Sequence, residues 1–151
     1  MEKLNFVDIL RNGCFYDLEV GKDNCKTVIN KLGEYEDMSV NNKYFYDLYW
    51  GDVCVSFYKK DDIVFYIQIQ LSKGVSYGKY LISDYYDPIE FHSEMSLESL
   101  FLFLNHTEIQ YKVKNPLPMN TDVLIISVGD LNLYYHLEEN SFFKIQIEKE
   151  E

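Results

Sequence analysis

WGDVCVSFYKKDDIVFYIQIQ spans Trp50 to Gln70, and VGDLNLYYHLEENSFFKIQIE spans Val128 to Glu148. The two stretches align without a gap at an offset of 78 positions, and six of the 21 aligned positions are identical. Most other pairs keep their chemical character. Similarity at a fixed spacing within one chain indicates a repeated structural unit. We therefore expect a fold built from two related halves.

Both stretches have the pattern of antiparallel strands. Val53, Val55 and Phe57 alternate with more polar residues, as strand residues do when one face of a sheet is buried. Gly51-Asp52 and Gly129-Asp130 predict tight turns, where glycine adopts the positive φ that a two-residue hairpin needs. The predicted strands of the first unit are 44–50, 53–58 and 63–71. Those of the second unit are 109–113, 123–128, 131–136 and 142–147.

A helix precedes the strands of each unit. Cys25, Val28, Ile29 and Leu32 have the i, i+3, i+4, i+7 spacing of one helix face. Asp23 or Asn24 can cap its start, and Gly33 can end it. The second helix has Leu97, Leu100, Phe101 and Leu104 on its apolar stripe. Ser96 is its predicted N-cap. Asn105 is predicted to end this helix as Gly33 ends the first.

This order of elements predicts an α+β fold in a single domain, 1–151, made of two pseudo-repeated units of a helix plus an antiparallel meander. The first unit spans about 15–71, the linker about 72–84 and the second unit about 85–148. A second loop is predicted at 115–118, where the sequence reads Asn-Pro-Leu-Pro. The sequence does not determine the order of the strands in the sheet.

The charge of the chain limits its partners. Fourteen Lys and Arg stand against 25 Asp and Glu, which gives a net charge of −11. Phosphate backbones and anionic membranes are bound by clusters of Lys and Arg, so neither nucleic acid nor a membrane is an expected partner. The N-terminus lacks the apolar segment of a secretory signal, and three cysteines cannot all form disulfides. We expect a soluble cytoplasmic protein with free thiols.

Residues for catalysis are few. Phosphate-binding and nucleophile-elbow motifs are absent from the sequence, and its three histidines fall in no zinc motif. Cys25 and Cys54 occupy predicted inward positions, where cysteine acts as a small apolar residue. The acidic segment with Asp87, Glu90 and His92 offers metal-ligand chemistry, but carboxylate clusters are common on so acidic a chain. We expect no cofactor, no metal and no enzymatic activity. A small metal-dependent hydrolase that uses these three residues is an alternative.

Tyrosine is frequent, at 14 of 151 residues. Neighbours on a strand alternate between faces, so not all of these side chains can be buried. Exposed tyrosines next to carboxylates fit a basic protein partner, because tyrosine contributes both apolar area and a polar tip to an interface. Ordinary surface tyrosines on a sheet are the competing interpretation.

The first unit resembles a known family. Its residues follow a pattern of the form G…V…LG…S…YGDLE..F…I.I. The matching residues are Gly21, the helix end Val28-Ile29-Asn30-Lys31-Leu32-Gly33, Ser39, the segment Tyr49-Trp50-Gly51-Asp52-Val53, Val55-Ser56-Phe57 and Ile67-Gln68-Ile69. The pattern covers about residues 4–70 and resembles bacterial immunity proteins of polymorphic-toxin and contact-dependent inhibition systems. The chain departs from it at Glu34-Tyr35 and at Val53-Cys54.

The resemblance implies a protein that neutralises a cognate toxin by forming a stoichiometric complex with it. The expected toxin domain is basic, and a nuclease is one such toxin. A general protein-interaction module is a further alternative, and homodimerisation through exposed sheet edges stays open. The predicted partner-binding residues lie in an acidic aromatic loop and at two polar hairpin turns: Asp84, Tyr85, Tyr86, Asp87 and Glu90, then Asp61 and Asp62, then Glu138 and Glu139.

Overall fold

The computed structural model describes residues 3–40, 42–114 and 122–149. Within these ranges the fold is α+β, as predicted, with three helices, one antiparallel sheet of eight strands and a separate sheet of two strands. In chain order the elements are α1 (Phe6–Asn12), α2 (Cys25–Leu32), β1 (Asp37–Ser39), β2 (Phe45–Trp50), β3 (Val53–Tyr58), β4 (Val64–Gln70), β5 (Lys79–Tyr80), β6 (Ile89–Glu90), α3 (Leu97–His106), β7 (Lys112–Lys114), β8 (Val123–Val128), β9 (Leu131–His136) and β10 (Ser141–Glu148). The loop predicted at 115–118 lies outside the described residues.

The two predicted helices begin at predicted caps. The Asn24 side chain accepts a hydrogen bond from the backbone N–H of Thr27 at 2.9 Å, and the Ser96 hydroxyl accepts one from the N–H of Ser99 at 3.1 Å. Each cap supplies a partner for an N–H that the first helical turn leaves free. These side chains fix where α2 and α3 start.

The predicted end of α3 at Asn105 is wrong. Asn105 lies inside the helix, which continues through His106 to the C-cap Thr107. The Thr107 hydroxyl donates to the carbonyl of Phe103 at 2.8 Å and so satisfies one of the last free helix carbonyls. The residue with positive φ at this helix end is Glu108, directly after the C-cap, at 58°.

The sheet consists of two four-stranded halves joined at its centre. The strand order is β1-β2-β3-β4-β10-β9-β8-β7, and every neighbouring pair is antiparallel. At the central pairing, Gln68 lies opposite Gln146, with isoleucine pairs on either side of them. The aligned stretches of sequence therefore meet in the middle of the sheet.

The halves are paired in the same register over the aligned stretches. Val53 lies opposite Ile69, and Leu131 lies opposite Ile147. One residue in each half is left out of this pairing, Phe65 in β4 and Phe143 in β10, and these two phenylalanines are again 78 positions apart. Gly51 and Gly129 have φ values of 57° and 60° in the turns β2–β3 and β8–β9, as the predicted hairpins require.

All three helices contribute to one hydrophobic core on one face of the sheet. Val28 of α2, Phe103 of α3 and Phe6 of α1 are buried together with the alternating residues of β3, β4, β9 and β10. The segment predicted as a linker joins this core, because Tyr77 is buried and its ring stacks on Phe6 at 4.5 Å. Burial of each such side chain contributes about 1.5–3 kcal/mol.

The opposite face of the eight-stranded sheet, called the open face below, carries half-exposed side chains. It includes Tyr49, Cys54, Tyr66, Gln68, Asn132, Tyr134, Lys144 and Gln146. None of the helices within the described residues is long and apolar enough to cross a membrane.

Candidate functional site

The predicted partner-binding residues lie in three separate places, and all nine are exposed. Asp61 and Asp62 form the turn between β3 and β4, while Glu138 and Glu139 form the turn between β9 and β10. Because β4 and β10 run antiparallel as neighbours, these two turns lie at opposite ends of the strands. The sheet therefore does not bring the two turns together into one surface.

Asp62 accepts two hydrogen bonds from other parts of the fold. Its carboxylate accepts a hydrogen bond from the Tyr46 hydroxyl at 2.7 Å, and its backbone carbonyl accepts one from the N–H of Cys25. Burial raises the pKa of Tyr46, and the bond to Asp62 raises it further. Asp62 thus anchors the start of α2 and the hairpin turn to each other.

The acidic aromatic loop, residues 84–87, has a different character. Tyr85 is 93% exposed and Tyr86 is 73% exposed, and the flanking Asp84 and Asp87 are exposed as well. The backbone of the loop folds back on Ser83, whose hydroxyl accepts from the N–H of Tyr85 at 3.3 Å. The loop therefore presents two large aromatic side chains to solvent from a turn.

A cleft of about 690 Å³ lies between this loop and the start of α3. Its apolar lining includes Ile82, Met95 and Leu102, and its acidic lining includes Asp87, Glu90 and Glu94. Asp87 and Glu90 were predicted as partner-binding residues, and the structure adds a concave surface next to them.

The apolar residues of the cleft were not predicted as site residues, and Leu102 is the most exposed of Ile82, Met95 and Leu102. It is 52% exposed on α3. The predicted stripe of α3 consists of Leu97, Leu100, Phe101 and Leu104, so Leu102 falls outside it. The sequence did contain a signal for this site, because a leucine outside the apolar stripe of a short helix is expected to be exposed.

The Asp87, Glu90 and His92 segment does not form a metal site. Within the described part of the chain, no group of three or more His, Cys, Asp and Glu side chains is arranged to hold a metal ion. His92 instead accepts a hydrogen bond at Nδ1 from the N–H of Glu94, at 3.2 Å. The Nδ1 atom of His92 is therefore engaged within its own loop.

A polar cluster on the open face was not predicted. The Ser56 hydroxyl donates a hydrogen bond to the carboxylate of Asp47 on β2. Cys54 lies two residues before Ser56 on β3, and Tyr66 lies opposite Ser56 on β4. Burial raises the pKa of Cys54 to about 11, and the negative charge of Asp47 raises it too. Since the thiolate is the nucleophilic form, this thiol is poorly suited to covalent catalysis at neutral pH.

The acidic residues of the loop and cleft form no ion pair among the residues that the structure describes. The ion pairs Lys22–Glu19 at 3.3 Å and Lys31–Asp23 at 3.8 Å both lie near α2. Within the described part of the chain, the negative charge around the cleft is therefore not neutralised by a salt bridge.

Comparison with protein-family models, with curated proteins and with solved structures finds no match to this chain. The residues of the chain itself therefore provide the basis for its function.

Proposed function

We propose that this protein is an immunity protein, which binds a cognate basic toxin domain and neutralises it by forming a stoichiometric complex. The observation that carries the proposal is the acidic aromatic loop, where Tyr85 and Tyr86 are exposed between Asp84 and Asp87. Folding alone gives no reason to expose two adjacent tyrosines. Binding does, because tyrosine contributes large contact area with little loss of conformational entropy.

Charge supports a basic partner. The chain carries a net charge of −11, and the loop carboxylates have no ion pair within the described residues. Complementary charge speeds association, and rates reach about 10⁸–10⁹ M⁻¹s⁻¹ at low salt. A toxin with a basic active-site cleft, such as a nuclease, is a partner of this kind, and the complex would form in the cytoplasm.

The proposal includes the two-unit architecture. The 78-residue offset in sequence, the shared register of β3–β4 and β9–β10, and the corresponding positions of Phe65 and Phe143 support two pseudo-repeated halves in one domain. The strongest sequence resemblance to immunity proteins covers the first half, and the loop follows that half in the chain.

The test uses the basic toxin domain that the proposal expects to be encoded beside this gene. We expect a 1:1 complex by light scattering and protection of growth when both proteins are expressed together. Replacing Tyr85 and Tyr86 by alanine should weaken binding by about 10- to 100-fold, since exposed aromatic residues dominate interface energies. The melting temperature should stay unchanged, because neither side chain is buried.

Tyr44 supplies the matched control. It is 64% exposed and lies before β2, away from the loop. Tyr44→Ala should leave toxin affinity unchanged. Affinity of the wild-type protein should also fall as salt concentration rises. A toxin that acts unchecked in the presence of excess folded protein would contradict the proposal.

A further inference from the structure

The cleft beside the loop combines two chemistries. Leu102 offers half of its side chain to solvent, and Ile82 and Met95 extend the apolar lining. At about 690 Å³, the cleft falls within the range of about 300–1,000 Å³ typical of binding pockets. It has room for a bulky apolar side chain.

The rim of the cleft is acidic. Asp87, Glu90 and Glu94 line it, all three are exposed, and none takes part in an ion pair within the described ranges. An apolar group that enters the cleft is therefore surrounded by carboxylates. Lysine or arginine residues on either side of that group would form charge-assisted hydrogen bonds with the rim.

The same charges disfavour a second copy of this chain as the occupant. Each copy carries a net charge of −11, so a homodimer built on this cleft would bring acidic surfaces together. Like charges placed opposite each other across an interface cost several kcal/mol. A basic partner avoids this cost and gains from the same carboxylates.

We propose that this cleft binds a segment of the protein partner in which a leucine or phenylalanine is flanked by lysine or arginine. The proposal rests on the proposed function, since it names the chemistry of the toxin segment that the site takes. Tyr86 lines the same cleft, which connects the apolar anchor point to the exposed tyrosines.

The experiment uses synthetic peptides and the full chain, so it needs no toxin. Acetyl-KRLFKR-amide is titrated into the ¹⁵N-labelled protein and followed by amide chemical shifts. Two matched peptides keep one property each: KRGSKR keeps the charge, and EELFEE keeps the apolar pair. We expect KRLFKR to shift the signals of residues 82–102, KRGSKR to bind at least about tenfold more weakly, and EELFEE not to bind.

Two variants test whether the peptide binds in the cleft. Leu102→Glu, and separately Asp87→Lys with Glu90→Lys, should each weaken KRLFKR binding at least about tenfold. The matched controls lie outside the cleft: Leu137→Glu, at a leucine that is 41% exposed, and Glu34→Lys with Asp130→Lys, at two exposed carboxylates. These controls should bind as the wild type does. Circular dichroism checks that every variant is folded.

Several results would overturn the inference. Equal binding of KRLFKR and KRGSKR would show a charge effect without an apolar anchor, and an absence of shifts at about 5 mM peptide would show no site. A dimer that Leu102→Glu dissociates would assign the cleft to a second copy. Peptide binding at the cleft without toxin neutralisation would instead refute the proposed function and leave the cleft chemistry standing.

Discussion

In β3, Val53, Val55 and Phe57 face the helices, and at the corresponding positions of β9 the chain has Leu131, Leu133 and Tyr135. All six side chains are buried. On the open face, Cys54 and Ser56 correspond to Asn132 and Tyr134. The two halves thus keep apolar character where the helices cover them and differ where they do not. Contact with the apolar core restricts what a position can hold, whereas the open face holds different chemistry even at Ser56, which its neighbours bury.

The largest effect expected from this comparison is in the core of both halves. Phe57→Ala and Tyr135→Ala should each lower the free energy of unfolding by about 3–5 kcal/mol, since each removes a buried aromatic ring. Urea denaturation measures the loss. Gln70→Ala, at an exposed position at the end of β4, is the control and should change stability by less than about 0.5 kcal/mol. A small loss in one half alone would show that the halves are not equally packed.

A smaller effect is expected where the open face differs. Ser56→Ala removes the donor to the half-buried carboxylate of Asp47 and should cost about 1–3 kcal/mol. In the second half, the Ser127 hydroxyl donates to the neutral side-chain oxygen of Asn132 at 2.5 Å. Ser127→Ala should therefore cost less, about 0.5–1.5 kcal/mol.

A double variant checks the cause of the Ser56 effect. Asp47→Leu with Ser56→Ala removes the carboxylate together with its donor, and leucine is close in character to Ile125, the residue at the corresponding position. The double variant should be less destabilised than Ser56→Ala alone. A more severe loss would mean that the serine matters through packing and not through the hydrogen bond.

The open face of the second half has a cation–π contact at two positions where the first half has other residues. The Lys144 ammonium lies 4.2 Å from the centre of the Tyr134 ring, while Ser56 and Tyr66 occupy the corresponding positions. Tyr134→Leu and Lys144→Met should show a coupling energy of about 0.5–1 kcal/mol in a double-mutant cycle. Additive losses would show that the two side chains are merely adjacent.

A further effect is confined to alkaline pH. An ordinary thiol ionises near pH 9.0, whereas burial raises the pKa of Cys54 to about 11. Between these values the unfolded chain has released a proton that the folded protein retains, so stability should fall as pH rises from about 9 to 11. Below pH 9 the contribution is constant.

Cys54→Asn, which introduces the residue found at the corresponding position of the second half, tests this. Between pH 9 and 11, the free energy of unfolding of this variant should decline less steeply than that of the wild type, and the difference in slope should correspond to at most one proton. Between pH 7 and 8, the two free energies should change with pH in parallel. Urea midpoints measured at each pH give the slopes. Identical slopes at pH 9–11 would contradict the raised pKa of Cys54.

The strands of the two halves could be predicted because their signals are local. The predicted bounds of β3, β8 and β9 are confirmed, and their turns have the glycines that mark them. The helix α1 was missed, and so was β1, since seven and three residues carry too little periodicity to be recognised. The strand predicted at 109–113 is displaced to Lys112–Lys114.

Long-range arrangement was beyond the sequence. Nothing local in β4 indicates that its partner is β10, which lies more than 70 residues away, although the shared Ile-Gln-Ile was visible. The candidate site also combines local features that the sequence predicts with packing that it does not. The exposed acidic residues could be predicted from charge, but the cleft forms because the 82–90 segment folds back toward α3, and Leu102 enters it only through that packing.

The position of β10 has a consequence for synthesis. Residues 141–148 are the last strand described along the chain, yet they lie in the middle of the sheet. While the ribosome is still adding residues before 141, β4 presents a bare row of backbone donors and acceptors, a template for misassembly between nascent chains. Completion of the sheet therefore waits until residues 141–148 have been synthesised, and a product that is interrupted before them lacks a central strand rather than a dispensable edge.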